Sequence, residues 1–384
     1  MHMRRFVTRL ALFLAAFLAL AEFFVFRLVL PACEIPASIG IEGGFLAMDP
    51  HYRSHGYQTG CRIPSSSAMY RWSINDDGWN SLFQYRRAGE RNRPLIAMIG
   101  DSGVEGLWSD VEEHVDSWMY YDLKGAFDVY AFGRYAMPLV EIMLMMDRVD
   151  SLYRPDLFVV FVSHDALESS LDRGFSGEYH YLLPAPLLGT FLVVAPDALE
   201  PSGFARAAMR SALVRYLVLQ GNLDLFPMMT VSWEYPDLSR LVKSTWIKDL
   251  LPAAGRFILS RMSSMLGDRR LLIVSDDWHA RNAVYGDSSE GSAAPMSQGA
   301  LVMKWLCDRE SLPNTGFLNL SDAYHADYDT MGICFESGSS RHLNGYGNSV
   351  AARAIIRRLE ETGALRRATE SWLEQDMRSP DDPR

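Results

Sequence analysis

The chain has 384 residues, a net charge of −10, 48% hydrophobic residues and 22% charged residues. This balance argues against a disordered chain and against a protein with many membrane spans, and the length suits one enlarged domain or a domain with an added subdomain. Nucleic-acid binding needs a dense cationic face, and no long Lys or Arg run follows residue 9, so we expect no nucleic-acid partner.

Residues 1–31 predict a membrane segment. Three early arginines precede an apolar run over 10–21, which continues to residue 30 with interruptions at Glu22 and Arg27. Basic residues before such a run keep its amino end in the cytoplasm. We expect an uncleaved single-pass anchor in a bacterial inner membrane with the remaining chain in the periplasm, since 10–30 has about the 20 residues that a bilayer helix needs. Cleavage after the Ala-Leu-Ala at 19–21, giving a secreted chain, is the alternative.

Four cysteines lie in two sequence neighbourhoods. In an oxidising compartment the local pairs are Cys33 with Cys61 and Cys307 with Cys334, and free thiols are the alternative. No C-x-x-C pair typical of a zinc site occurs, and we expect neither a metal nor a cofactor.

Residues 32–93 hold many Gly, Ser, Tyr and Arg residues, which predicts a neck of loops and short strands. Beyond it, short apolar runs bounded by Pro, Gly or polar residues predict five buried parallel strands, at 94–99, 129–132, 157–162, 270–274 and 316–320. Helical patterns alternate with them, at 110–124, 139–149, 298–310 and 350–360. This alternation predicts an α/β domain over 94–368, with helices on both faces of the sheet and a tail over 369–384.

The alternation is interrupted at about 171–266. Helical runs at 204–220 and 238–266, without obvious strands between them, predict a helical insertion that covers the site as a lid or cap.

Chemistry is predicted where the first strand ends. Reactive groups of parallel sheets lie at the carboxyl ends of strands, and Ser102 follows the first strand beside Gly103. A serine in that place can expose its hydroxyl and lend its backbone N–H to an oxyanion hole. His342, just before the last predicted helix, can act as its general base.

These blocks resemble the SGNH (GDSL) hydrolases. The first block of that family is G-D-S-x-x-x-G, which residues 100–106 match in full, and its last block is a histidine followed by small residues and a helix, as in 342–348. Residues 73–79 also resemble exported, membrane-anchored members that accompany bacterial surface-polysaccharide machinery. The resemblance covers roughly residues 70–362 and implies a three-layer α/β/α sandwich with a five-stranded parallel sheet.

The resemblance implies that Ser102 is the nucleophile and His342 the base. The oxyanion donors that it implies are the Ser102 N–H, an N–H at Ala136 (with Gly133 as the alternative) and a third-block side chain at His164. The family's third block is G-x-N-D, whereas this chain has Val-Ser-His-Asp, so a histidine replaces the asparagine.

The family's acid lies three residues before the histidine, where this chain has Ser339. Four carboxylates shortly upstream are the candidates to orient the base: Asp322, Asp327, Asp329 and Glu336. A Ser–His dyad or a weakened enzyme is the alternative, because loss of the acid can cost several powers of ten in rate.

We therefore expect an exported serine ester hydrolase or O-acyltransferase that acts on acyl esters, above all acetyl esters, of a cell-surface glycan. Its expected partners are an acylated glycan or small ester and the lipid bilayer that holds the N-terminal helix. A catalytically degenerate member that binds polysaccharide or scaffolds a synthesis complex is the alternative.

Overall fold

The computed structural model of the chain describes residues 2–29, 38–40, 46–48, 58–62, 69–106, 108–134, 136–172, 179–185, 189–195, 211–214, 246–276, 283–285, 296–309, 312, 314–336 and 342–378. Ser339, Cys33, the end of the predicted tail and most of the helical run at 204–220 lie outside them.

The amino-terminal segment is an exposed apolar helix. Helix α1 (His2–Leu20) continues as π-helical turns over Ala21–Val29, and Arg5–Phe26 has the length and the mean hydropathy, 2.1, to cross a bilayer. Such a helix suits a signal sequence or a membrane anchor. Near its end, the Glu22 carboxylate accepts hydrogen bonds from the Ser211 hydroxyl and from the next two backbone amides, at 2.7–3.0 Å.

Short strands and loops lead to the main domain. Strand β1 (Ser38–Gly40) pairs with β2 (Leu46–Met48), and β3 (Gln58–Arg62) pairs with β4 (Met69–Trp72), both antiparallel. The loop that follows β4 binds the domain through Asn80, whose amide donates to the backbone carbonyl of Glu105 at 3.1 Å.

Five parallel strands form the central sheet: β5 (Leu95–Gly100), β6 (Asp128–Gly133), β7 (Leu157–Ser163), β10 (Arg270–Asp276) and β11 (Thr315–Asn319). Their spatial order is β6-β5-β7-β10-β11, and each coincides with a predicted apolar run. The predicted α/β fold with a five-stranded parallel sheet is therefore confirmed.

The helices of the domain are α2 (Ser102–Glu105), α3 (Val115–Asp122), α4 (Leu139–Tyr153), α5 (Ala166–Ser169), α6 (Trp246–Leu266), α7 (Gln298–Arg309), α8 (Leu320–Met331), α9 (Gly345–Glu361) and α10 (Ala364–Arg378). Successive strand residues point to opposite faces, so Ile99 packs with the α4, α6 and α7 layer while Met98 packs with the α3, α8, α9 and α10 layer. Two apolar cores thus lie between three layers. Helix α10 crosses the boundary predicted at 368/369.

Edge strand β6 is covered by the neck. The hydroxyl of Tyr85 accepts a hydrogen bond from the Ala131 N–H and donates one to the Ala131 carbonyl, both at 2.8 Å. One side chain thus supplies the donor and the acceptor that a neighbouring strand would offer.

The expectation of a purely helical insertion at 171–266 is wrong. The region contains an antiparallel hairpin of β8 (Tyr181–Ala185) and β9 (Thr190–Val194). Helix α6 belongs to a helical layer of the sandwich, because its apolar face is buried against α4 and the sheet. Cys307 and Cys334 are free thiols, as in the alternative left open for this pair. Their local pairing fails because Cys307 packs in the α4 layer, whereas Cys334 precedes Phe335 in the opposite core.

Candidate active site

The carboxyl ends of the strands meet at one edge of the sheet. Gly100 at the end of β5 pairs with Gly133 at the end of β6, and Ser163 at the end of β7 pairs with Asp276 of β10. The chain winds to one side of β5 to form β6 and to the other side to form β7. Ser102 therefore follows the strand at the topological switch point, where open α/β sheets bind ligands.

The nucleophile candidate begins the single-turn helix α2. The Asp101 carboxylate caps this turn by accepting a hydrogen bond from the Gly103 N–H at 3.0 Å. Burial raises the pKa of Asp101, and nearby carboxylates, Asp276 first, add to the rise, while the Gly103 N–H and the Ser163 hydroxyl oppose it. Asp101 thus has a structural contact that holds the serine turn in place.

The turn ends at Gly106, whose φ of 72° is the left-handed region that glycine tolerates. A Cβ at this position would also lie 2.3 Å from the imidazole of His114. Burial lowers the pKa of His114 to about 4, and the nearby backbone of Ser109 and Gly106 opposes this effect. At neutral pH, a neutral and buried imidazole therefore packs against the end of the serine turn.

Ser102 and His342 are brought together from opposite ends of the domain. The His342 Nε2 lies 2.9 Å from the Ser102 Oγ, and both residues are half-buried. The indole of Trp108 stacks on the His342 ring, with ring centroids 4.5 Å apart and an interplanar angle of 17°. This is hydrogen-bonding geometry for a nucleophile and a base, with one face of the base covered.

Asn344 fixes the segment that carries the histidine. Its side-chain oxygen caps α9 by accepting from the Gly347 N–H at 2.8 Å, and its amide donates to the carbonyls of Cys334 and Glu336 at 3.0 and 3.1 Å. One asparagine thus joins the start of α9 to the loop before His342.

The segments that carry Trp108 and His342 are also joined to each other. The amide of Asn348, in the first turn of α9, donates to the Ser109 hydroxyl and to the Glu113 carbonyl, both at 2.9 Å. Sequence reasoning missed Trp108, Asn344 and Asn348 as site residues. The two asparagines lie in the last block of the motif, but nothing local to Trp108 indicates a contact with a histidine 234 positions away.

The oxyanion candidates lie at the ends of β6 and β7. Gly133 packs directly on α2, since a Cβ there would lie 2.0 Å from the backbone nitrogen of Glu105. Ala136 lies in the turn after β6 with a φ of 53°, a conformation that alanine rarely adopts. His164 follows β7 with its Nδ1 3.7 Å from an Asp165 oxygen, and its side chain is 29% exposed.

The four candidate acids are distributed over α8 and the loop after it. Asp322 and Asp329 are exposed on α8. Asp327 accepts a hydrogen bond from the Tyr346 hydroxyl and lies 3.6 Å from the Arg353 guanidinium. Glu336 accepts a hydrogen bond from the Tyr285 hydroxyl, and its backbone pairs with that of Leu343, next to His342.

A small depression opens beside Ser102. Its lining residues come from the serine turn, the Trp108 loop and the start of α9: Ser102, Gly103, Gly106, Trp108, Ser109, His342, Leu343 and Asn348. Within the described part of the chain, no group of three or more His, Cys, Asp or Glu side chains is arranged to hold a metal ion.

No protein-family model matches the sequence, and no curated protein matches it. Solved structures with a similar arrangement include a carbohydrate acetylesterase family member from Sinorhizobium meliloti, with 12% identity, 70% of this chain and 98% of that chain covered, and a TM-score of 0.32. A second is a catalytic mutant of an acetylxylan esterase from Geobacillus stearothermophilus, with 10% identity, 69% of this chain and 93% of that chain covered, and a TM-score of 0.39. A third is a salicylyl-acyltransferase from a tetracycline biosynthetic pathway, with 10% identity, 72% of this chain and 57% of that chain covered, and a TM-score of 0.38. These similarities are too weak to assign an activity.

Proposed function

We propose that this chain is an exported, membrane-anchored serine esterase of the SGNH type, which removes or transfers short acyl groups on a cell-surface glycan. The observation that carries the proposal is the 2.9 Å separation of Ser102 Oγ and His342 Nε2 at the carboxyl edge of the sheet. The two residues are 240 positions apart, and each lies in the sequence block that predicted its role.

The proposed reaction has two halves. Ser102 Oγ attacks the acyl carbonyl carbon as its proton passes to His342 Nε2, and collapse of the tetrahedral intermediate breaks the bond to the alcohol oxygen, which takes the proton from His342. Water or a sugar hydroxyl then gives a proton to His342 as it attacks the acyl-enzyme. Ser102 recovers that proton, and the product is a carboxylic acid or a new ester.

Negative charge on the carbonyl oxygen needs donors at the same edge. We assign this role to the backbone N–H groups of Ser102 and Ala136 and to the His164 side chain. The left-handed φ of Ala136 supports its place in the family pattern, because glycine is the usual residue in that conformation. Gly133 is better explained by its close packing on α2.

The shape and charge of the chain favour a short acyl group on a glycan that is not strongly anionic. The depression beside Ser102 is small, so a short acyl group such as acetyl suits it better than a long acyl chain. A net charge of −10 repels polyanions unless a local basic patch offsets it. The apolar helix Arg5–Phe26 would hold the domain at the periplasmic face of the inner membrane, where surface glycans are assembled.

The test is labelling of the full-length chain, in detergent micelles, with a fluorophosphonate probe. Wild type and the control Ser151→Ala, an exposed serine on α4, should label equally, whereas Ser102→Ala should not label and His342→Gln should label at least 100-fold more slowly. Equal labelling of wild type and Ser102→Ala, or no labelling of either, would favour a binding or scaffolding protein.

If labelling depends on Ser102, acetyl release from an acetylated glycan distinguishes the two acceptors. Hydrolysis predicts release of free acetate that is insensitive to added acceptor glycan. Transfer predicts that the acceptor becomes acetylated while the yield of free acetate falls.

A further inference from the structure

We infer that Trp108 is a positioning residue for the base, and that its indole face stabilises the imidazolium that forms when His342 takes the serine proton. This inference rests on the proposed roles of Ser102 and His342. The rings of Trp108 and His342 are nearly parallel, 17° apart, with centroids separated by 4.5 Å. That separation is within the range of about 6 Å over which an aromatic face attracts a cation.

The stacking is built into the fold. Trp108 is 8% exposed, and the next residue, Ser109, is tied by Asn348 to the helix that follows His342. The indole therefore limits rotation of the imidazole about the Cβ–Cγ bond of His342 and keeps Nε2 directed at the Ser102 hydroxyl. The stacked indole also withholds the covered face of the base from solvent.

Electrostatics gives this contact a role in the reaction. The serine proton converts a neutral ring into a cation at the moment of attack, and the π face of tryptophan is the most attractive of the aromatic faces for a cation. The contact therefore strengthens between the ground state and the transition state, as a rate-enhancing contact must. In this family the acid normally stabilises the imidazolium, and the corresponding position here is Ser339. The indole contributes whether or not another carboxylate also orients the ring.

Other titratable groups contact the serine turn or the segment around the start of α9, and they stay unchanged in the test. They are Asp101 in the serine turn, His114 against Gly106, Glu113 against Gly345 and Glu336 opposite Leu343. Arg341, which precedes His342 in the sequence, also stays unchanged. A comparison of variants at Trp108 alone therefore cancels their effects.

The first experiment measures the fluorophosphonate labelling rate of the full-length chain from pH 4 to pH 9. Trp108→Leu keeps an apolar cover over the imidazole but removes the π face. We expect its plateau rate to fall by about three- to thirtyfold and the midpoint of its acid limb to move about one pH unit lower. Trp108→Phe should lie between it and wild type. Trp79→Leu is the matched control, because Trp79 is also 8% exposed but contacts the Phe132 ring edge-on, and its midpoint should match wild type.

A Trp108→Leu variant that labels more slowly but has the wild-type midpoint would overturn the inference, because Trp108 would then act only by packing in the site. If Trp108→Leu does not fold, an unchanged midpoint for Trp108→Phe overturns it equally. A second measurement needs no activity. In a Ser102→Ala background, with His342 ring signals identified by their loss in His342→Gln, NMR titration should give a lower midpoint with Trp108→Leu than without it. Equal midpoints overturn the inference even if the proposed esterase function holds, whereas absent labelling of wild type contradicts that function.

Discussion

His114 and Asp116 begin helix α3, and each has only 1% of its surface exposed. Burial lowers the pKa of His114 from 6.5 to about 4, and burial raises the pKa of Asp116 from 3.8 to about 7. Each side chain is therefore more stable in its neutral form inside the fold. The neutral form of His114 lacks the titrating proton, whereas that of Asp116 carries it. The two residues therefore change the stability of the fold in opposite directions as pH changes.

Whether stability rises or falls with pH depends on which state, folded or unfolded, binds the proton at the higher pH. Below pH 6.5 the unfolded chain protonates at His114 before the folded chain does, so folding loses about 3 kcal/mol between pH 6.5 and pH 4. Below about pH 7 the folded chain protonates at Asp116 first, so folding gains about 4 kcal/mol between pH 7 and pH 3.8. In the wild type the two effects nearly cancel.

Variants at one residue alone should show the pH dependence of stability that the other residue offsets in the wild type. Between pH 7 and pH 4, the free energy of unfolding of Asp116→Asn should fall by about 4 kcal/mol relative to wild type, and that of His114→Gln should rise by about 3 kcal/mol. Urea denaturation of the full-length chain in detergent micelles at four pH values measures both. Asp122→Asn, exposed near the end of the same helix, is the control and should follow wild type. Profiles of the two buried variants that run parallel to wild type would refute the reasoning.

Three further changes test the packing around the site. Gly133→Ala places a Cβ 2.0 Å from a backbone nitrogen of α2, so we expect a loss of about 1–3 kcal/mol in urea denaturation and slower fluorophosphonate labelling; unchanged values for both would contradict the close packing. Ala136→Gly relieves a left-handed φ and should stabilise by about 0.5–1 kcal/mol, whereas the control Ala354→Gly, inside α9, should destabilise by about 1 kcal/mol. Tyr85→Phe removes both hydrogen bonds to Ala131, so unfolding should cost about 1–3 kcal/mol less and the Ala131 amide should exchange faster with solvent; wild-type exchange would exclude the bridge.

The sheet could be predicted because its strands are short apolar runs buried on both faces. Every residue of β5, for example, is buried, and Gly100 ends the run. The hairpin β8–β9 was missed because its strands are half-exposed, and Pro184 within β8 argues against a strand. Helix α8 was missed because it begins directly after β11, at the Asn319 cap, with no loop to mark the change.

The candidate site was predicted where its chemistry is local. Ser102 and His342 each lie in a recognisable block, and the fold brings the two blocks together. The contact of Trp108 with His342 depends on how two distant segments pack, so it cannot be read from either segment alone. The contact of His114 with Gly106 likewise depends on packing, since the sequence contains nine histidines and does not single this one out.

The three hydrogen bonds accepted by Glu22 impose an order on the assembly of the chain. Glu22 precedes Ser211 by 189 residues, and synthesis proceeds from the amino end. On the proposed topology, the first helix enters the translocation machinery before residues 211–213 have been made. The contact between Glu22 and these residues would then form only after the middle of the chain has been exported, so the end of the first helix would be completed late in assembly.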